Sequence, residues 1–278
     1  MLSWGVPKTF AERLTHAQHT SGSLVCVGLD PDSAKLPQDL GKTGTPLYAF
    51  NRRIVDATFD IAAAYKPQIA FYSAVGAEEE LVSSIRYIRE RAPDALVILD
   101  AKRGDIGNTA EAYAREAFER YDADAVTVNP YMGADSVRPF LARPDRGALL
   151  LCRTSNSGAK DFQDLQVDGL PLYRHVARHA ACQWNPHGNL MLVVGATVPR
   201  EMAELRTAHP TVPFLVPGIG AQGGDLEATL AAGLDAQGAG LLISASRSII
   251  YAGGSAPASI RAAAAELHGA INLGRNKS

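Results

Sequence analysis

Cysteine is scarce in this chain: Cys26, Cys152 and Cys182 are the only three in 278 residues, and no C-x-x-C pair occurs. An odd, scattered set argues against a disulfide framework or a zinc knuckle and reads as buried, reduced thiols of a cytosolic protein. An excess of one charge is also lacking. With 27 basic against 29 acidic residues the net charge is -2, so no bulk field draws the chain to nucleic acid or to an anionic membrane, and any phosphate must be bound locally. No apolar run is long enough to span a bilayer. The first twenty residues have no apolar h-region and mix acid with base, which argues against a signal peptide and for a helix over 9–18 covering one end of the fold. Low-complexity linkers, repeats of fixed period and shifts in composition that would mark a domain boundary are absent as well.

What is present is apolar and periodic. Hydrophobic residues make up 46% of the chain. Strand-like runs fall at 24–29, 64–70, 95–102, 125–129, 148–155, 190–196, 213–218 and 240–246. Helical periodicity fills most of the intervals, as in EELVSSIRYIRERA, TAEAYAREAFERY and VPREMAELRTAH. Strands apolar throughout and separated by helices make a parallel sheet covered on both faces, and eight such units in about 250 residues make an α/β fold of the (β/α)8 TIM barrel type. We expect one barrel domain over 1–278, with an N-terminal cap at 1–22 and a C-terminal helix and tail at 253–278. The helix is expected near 258–271, followed by a frayed polar tail. The longest irregular stretch, 31–46, follows the first strand and is expected at the barrel mouth.

The chain is organised around LVILDAKRGDIGNTA, residues 96–110. A buried strand ends abruptly in Asp100, Lys102 and Asp105. Alternation along a strand turns Asp100 and Lys102 to one face and Ala101 aside. Charge at the carboxyl end of a barrel strand is where this architecture puts its chemistry, although an ion pair that merely ends the strand and caps the next helix has the same spacing. The other strand ends add Asp30, Lys66, Thr154, Ser155, the Pro217 to Gly224 loop, Ser246 and Arg247. Asp30, before Pro31, also reads as a simple turn residue. Lys66 sits in AAAYKPQIAFY, where a lysine needs a carboxylate partner or a lowered pKa. Two lysines and two acids would then form an alternating chain of charge.

VPGIGAQGGD holds G-x-G-x-x-G at Gly218, Gly220 and Gly223. A dinucleotide fingerprint is disfavoured, because the motif follows the seventh strand and the next strand ends without the acid that would hold a ribose. A phosphate site built from the loops after strands seven and eight fits better: backbone N–H groups at Gly220, Gly223 and Gly224, the Gln222 amide and the Arg247 fork. His175 and His179 share a helix face at i and i+4 but have no third ligand, so they read as surface residues. Trp4 and Trp184 read as packing residues.

The run Asp100, Lys102, Asp105, Ile106, Thr109 matches D-x-K-x-x-D-I-x-x-T and resembles the signature of the orotidine 5'-phosphate decarboxylases. The resemblance extends from Asp30 to Arg247. The long 31–46 loop, with NPYMGADSV and RTSNSGA, is similar to the larger, type 2 subgroup. It implies a cofactor-free carboxy-lyase of pyrimidine and UMP biosynthesis, cytoplasmic and homodimeric, with no metal. It also implies that Lys66, Asp100, Lys102 and Asp105 are the catalytic network, and that Asp105, Ile106 and Thr109 reach the neighbour's site. Asp30 and Lys66 would hold the ribose, Ser155 the pyrimidine, and Gln222 and Arg247 the phosphate, with the 156–171 and 219–225 loops closing over the nucleotide.

Two other readings stay open on the residues. A sugar-phosphate aldolase or synthase of the same superfamily shares D-x-K-x-x-D, but those relatives are metal-assisted and tend to carry an acid where this chain has Lys66. A Schiff-base aldolase is weaker, since a lysine flanked by carboxylates is a poor nucleophile. A non-catalytic nucleotide-binding barrel would need only the glycine-rich loop, not the charged tetrad.

Overall fold

The apolar stretches pair side by side until the last meets the first. The computed structural model describes residues 8–40, 43–219 and 223–276. Its strands β1 (Val25–Leu29), β2 (Ala64–Pro67), β3 (Leu96–Arg103), β4 (Ala125–Val128) and β5 (Gly147–Arg153) lie in chain order. A separate antiparallel hairpin follows, β6 (Gln166–Val167) and β7 (Leu170–Pro171). Then β8 (Leu190–Val194), β9 (Phe214–Pro217) and β10 (Leu241–Ala245) complete a closed parallel barrel, with β10 paired to β1. Every residue of β1, β8 and β10 is buried, as strands covered on both faces must be. This is the (β/α)8 barrel that the strand and helix pattern predicts.

Around it run α1 (Phe10–Ser21), α2 (Pro46–Thr58), α3 (Ala70–Ser73), α4 (Glu78–Arg91), α5 (Gly107–Arg115), α6 (Ala134–Leu141), α7 (Leu172–Gln183), α8 (Pro199–Ala208), α9 (Leu226–Gly233), α10 (Arg247–Ile250) and α11 (Pro257–Arg275). α1 begins with a capping box, in which the Thr9 hydroxyl accepts the Glu12 N–H while the Glu12 carboxylate accepts that of Thr9. It ends on Gly22 in the left-handed conformation. Its buried Phe10, Leu14 and Ala17 join one apolar cluster with Cys26, Ile98, Leu149, Met191, Leu215 and Leu242 from the strands. Burying Phe10 and Leu14 contributes roughly 1.5–3 kcal/mol each. The fit is close, since a Cβ on Gly147 would fall 2.6 Å from the Phe10 ring.

The amino-terminal end of the barrel is also tied electrostatically. Asp124, fully buried just before β4, accepts the Val97 N–H at 2.7 Å and Arg89 at 2.8 Å, and it pairs with Arg13 of α1. Arg206 closes the neighbouring flank by donating to the carbonyls of Gly233, Val212 and Gly240 and lying over the Phe214 ring. Charged groups at this end therefore serve stability and leave the opposite end to the site.

Several boundaries differ from the pattern. The 156–171 stretch is not wholly irregular: Asp168 and Gly169, both at positive φ, make the two-residue turn of the β6–β7 hairpin. Asp-Gly is a turn pair that adopts this backbone readily. α11 runs beyond 271 to Arg275, whose Nε donates to the Gly238 carbonyl at 2.7 Å and holds the last turn in place. α9 stops at Gly233 because Asp235 accepts the N–H groups of Gln237 and Ala239 and turns the chain. No helix of the described residues is long and apolar enough to cross a membrane.

Cys26 and Cys152 are buried and Cys182 is exposed. Burial pushes both buried thiols up to about 12, so neither forms a thiolate at mild pH. An aromatic disulfide reagent at neutral to mildly alkaline pH should release one equivalent from the native protein and three from the unfolded chain, matching the three cysteines. Rapid native release of all three would contradict this packing.

Candidate active site

At the mouth of the barrel β3 abandons regular pleating. Its pairing with β4 passes from Leu99–Val126 directly to Arg103–Val128, so three residues of β3 stand against Thr127 alone. The expected alternation of Asp100 and Lys102 is therefore replaced by a bulge, and Lys102 lies in the left-handed region at φ 46°. Asp100 and Lys102 still meet, but through the bent backbone. Lys102 Nζ donates to Asp100 Oδ1 at 2.6 Å and otherwise opens to the mouth, while Lys66 Nζ donates to Asp100 Oδ2 at 2.8 Å. The Thr127 hydroxyl donates to Asp100 Oδ1 at 2.9 Å.

Lys66 and Asp100 are only 6% and 7% exposed, so their charges would be costly if either stood alone. Burial by itself drives the Lys66 ammonium towards neutrality, but Asp100 and then Asp30 outweigh it and hold its pKa above the ordinary lysine value. Burial likewise raises the Asp100 carboxyl, and the adjacent Lys66 and Lys102 charges overcome this and leave it well below the carboxylate range.

The remaining predicted residues surround this chain. Asp30 follows β1, and its Oδ1 is buried with no partner among the described residues. Its carbonyl accepts the Tyr251 hydroxyl at 3.2 Å, and that hydroxyl accepts the Asp32 N–H at 2.8 Å, pinning the start of the 31–46 stretch beside α10. Three close approaches draw the other loops inward. A Cβ on Gly28 would meet Ser246 at 2.7 Å, one on Gly195 would meet Ser155 at 2.7 Å, and one on Gly224 would meet Ala196 at 2.6 Å. Only glycine admits such contacts. Arg247 is exposed at the start of α10, and Gly223 has φ 80°. Gly220 and Gln222 lie outside the described residues.

Asp105 does not join the charged chain of its own barrel. Its Oδ1 accepts the N–H of the next residue, Ile106, at 2.8 Å. Ile106 is 51% exposed and Thr109 is exposed on the first turn of α5. His175 and His179 stay out of the mouth: the first bonds the Val167 carbonyl of the hairpin and the second bonds Gln183 and stacks on Trp184. Thr127 is the site residue that pattern reading passes over, because a threonine in the apolar run AVTV looks like an ordinary strand residue.

The pKa directions define a pH window. The Asp100 carboxylate, lowered by the fold, contributes stability in full above the ordinary aspartate value and loses it as pH falls through the folded value. The Lys66 ammonium, raised by the fold, contributes in full below the ordinary lysine value and loses it as pH rises through the folded value. Asp100→Asn should lower the unfolding free energy by about 3 kcal/mol inside the window from about 4 to about 10. The gap to wild type should begin to narrow below about pH 4, where the unfolded chain's carboxyl takes up its proton, and should close as pH falls through the lowered native value. Denaturant titrations across pH check this, and a gap that stays constant from neutral to strongly acidic pH would contradict it.

Comparison with known proteins extends over nearly the whole chain. Residues 23–262 match the family described as "Orotidine 5'-phosphate decarboxylase / HUMPS family". A protein named orotidine 5'-phosphate decarboxylase from Cellvibrio japonicus (strain Ueda107) is 55% identical over 272 residues, covering 96% of this chain and 99% of that one. One of the same name from Dechloromonas aromatica (strain RCB) is 55% identical over 269 residues, covering 96% and 100%. Among solved structures, the Leishmania donovani OMP decarboxylase superposes with TM-score 0.85 at 43% identity over 96% of this chain and 98% of that one. With a match of this length, and relatives this similar from end to end, the chain belongs to the orotidine 5'-phosphate decarboxylase / HUMPS family.

Proposed function

We propose that this chain decarboxylates orotidine 5'-phosphate to UMP and carbon dioxide in de novo pyrimidine biosynthesis. The observation that carries the reading is the Lys66–Asp100–Lys102 chain of charge at the barrel mouth. It places a buried cation where the metal-assisted members of the superfamily tend to have an acid. Breaking the bond from C6 to the carboxylate leaves its electron pair on C6, with no adjacent carbonyl to take up the charge. Lys102, already aimed and open to the mouth, stabilises that developing charge, and one of its ammonium protons then moves to C6. Solvent returns the proton to Lys102. Asp100 stands against the substrate carboxylate, and their like-charge repulsion is relieved as carbon dioxide leaves.

In this reading Asp30 and Lys66 hold the ribose hydroxyls, and the buried, unpartnered Asp30 Oδ1 supports that role. Ser155 faces the pyrimidine. Arg247 and the loop carrying Gly220, Gln222 and Gly223 hold the phosphate, whose binding energy closes the mouth far from the reacting carbon. Neither cofactor nor metal takes part. The enzyme works in the cytoplasm, in keeping with three free cysteines, of which Cys26 and Cys152 are buried and Cys182, against the expectation of buried thiols, is exposed.

A homodimer with shared sites completes the proposal. Asp105, Ile106 and Thr109 enter the neighbour's mouth, and Asp105 lies apart from the charged chain of its own barrel. Ile106, Tyr131 at 84% exposure and Met132 at 46% leave apolar surface open on the same flank, after β3 and β4.

Loss of orotidine 5'-phosphate absorbance, followed with protein dialysed against a chelator, tests the activity. Wild type should turn over, and Lys102→Ala should lose roughly 10³-fold or more in kcat while UMP affinity changes far less. Activity that appears only with magnesium and a sugar phosphate would overturn the reading. Mixing the separately inactive Lys102→Ala and Asp105→Ala proteins should restore roughly a quarter of wild-type activity, because half the dimers are mixed and each of those holds one intact site. No recovery after subunit exchange would mean that Asp105 acts within its own chain or not at all.

A further inference from the structure

The bulge in β3 leaves backbone groups that the barrel ladder cannot satisfy. Between the Leu99–Val126 and Arg103–Val128 pairs, β3 holds Asp100, Ala101 and Lys102, and β4 holds only Thr127. The excess chain folds outward at Lys102, whose φ of 46° costs a side-chain-bearing residue about 1–2 kcal/mol. The Ala101 and Lys102 N–H groups, displaced from the ladder, both turn to one atom. Thr127 Oγ1 accepts each of them at 2.9 Å.

A hydroxyl offers two acceptor lone pairs and one proton. With both lone pairs engaged, the Thr127 proton is committed to its remaining neighbour, Asp100 Oδ1 at 2.9 Å. Every hydrogen-bonding position of this side chain is then used, and Thr127 itself is 2% exposed, so water does not compete for it. Asp100 is held at both oxygens as a result, with Lys66 on Oδ2 and with Lys102 and Thr127 on Oδ1.

We infer that Thr127 is a positioning residue for the decarboxylation: its single hydroxyl both pins the left-handed backbone from which the Lys102 side chain departs and fixes the rotation of the Asp100 carboxylate. The inference rests on the decarboxylase reading above. Lys102 Nζ sits at the end of a flexible four-carbon stem, so its place at C6 depends on where the stem begins and on the oxygen that receives it. Without the hydroxyl, two amides lose their acceptor and Asp100 Oδ1 loses a donor. The bulge can then relax, carrying the ammonium away from the reacting carbon. A displacement of about 1 Å is enough to cost on the order of 10²-fold in rate.

The test compares Thr127→Val, which keeps the shape and removes the hydroxyl, with Thr127→Ser, which keeps the hydroxyl. The valine protein should lose roughly 30- to 100-fold in kcat with KM for orotidine 5'-phosphate within about threefold, since the ribose and phosphate contacts are untouched. The serine protein should stay within about threefold of wild type in kcat. Exchange of the C6 hydrogen of UMP in heavy water supplies a readout that fold stability does not move. It is the reverse of the Lys102 proton transfer, and it should fall with kcat in the valine protein and return in the serine protein. Should the valine chain fail to fold, Thr127→Cys replaces it, its thiol being a weak donor and acceptor, and it should lose at least about tenfold in kcat. A valine or cysteine protein with a lowered Tm but wild-type kcat and exchange would overturn the inference, as would a serine protein as slow as valine. If wild type itself does not turn over orotidine 5'-phosphate, the reading and the inference fall together. If wild type turns over and the valine protein matches it, the inference alone falls.

Discussion

A carboxylate taken out of water between two ammonium groups is the constraint on which the mouth of this barrel depends. Asp100 reaches Lys66 at 2.8 Å and Lys102 at 2.6 Å, and the two buried charges, Asp100 and Lys66, would be costly there without each other. A buried ion pair of this kind is not an economical way to stabilise a barrel, since an apolar group of the same volume would do as well or better. Its value lies in preorganisation. In the proposed reaction the charges stand in place before substrate arrives, so they need not reorient when charge develops at the reacting carbon.

The rest of the fold serves to make that arrangement affordable. The amino-terminal end of the barrel is plugged by Phe10 and Leu14 of α1 and bound by Arg13, Arg89 and Asp124. Arg206 donates to the Gly233, Val212 and Gly240 carbonyls and so ties the end of α9 to the start of β9 and β10. This rigid half holds the strands in register up to the level of Leu99 and Val126, and the irregular geometry begins only beyond them. Within this part of the barrel the left-handed backbone of a non-glycine residue falls at Lys102, while Asp122, Asp168 and Ser255 adopt it elsewhere in the chain.

Close backbone approach completes the mouth. The pairs Gly28–Ser246, Gly195–Ser155 and Gly224–Ala196 bring the tails of the first, fifth, sixth, seventh and eighth barrel strands within van der Waals reach. The β6–β7 hairpin stands beside them, tied to α7 through His175. The histidine pair that might suggest a metal from its spacing is spent on such local contacts, an example of a motif whose partners decide its meaning. Asp105 and Ile106 show the converse. Both sit in the motif that resembles the family signature, yet neither closes on its own barrel: Asp105 turns back to the Ile106 N–H and Ile106 is exposed, and the role proposed for them lies in the mouth of a second chain.

Much of this protein was legible in its sequence. Eight apolar runs separated by helical periodicity dictate a parallel closed sheet, because strands with no polar face must be covered on both sides. Lys66 announced a need for either a carboxylate partner or a lowered pKa, since its run is so apolar, and the structure supplies the partner in Asp100. The β6–β7 hairpin is not evident there, since 156–171 reads as a loop; its turn at Asp168 and Gly169 appears in the structure. What the sequence alone could not decide was how β3 ends. Strict alternation puts Asp100 and Lys102 on one face by a rule of two, whereas the barrel brings them together through a left-handed residue and a bulge opposite Thr127. A bulge depends on the register between two strands, and register is a property of the pair rather than of either segment. For the same reason Thr127 stayed hidden among apolar neighbours: its hydroxyl acquires its three partners only when β4 is laid against β3.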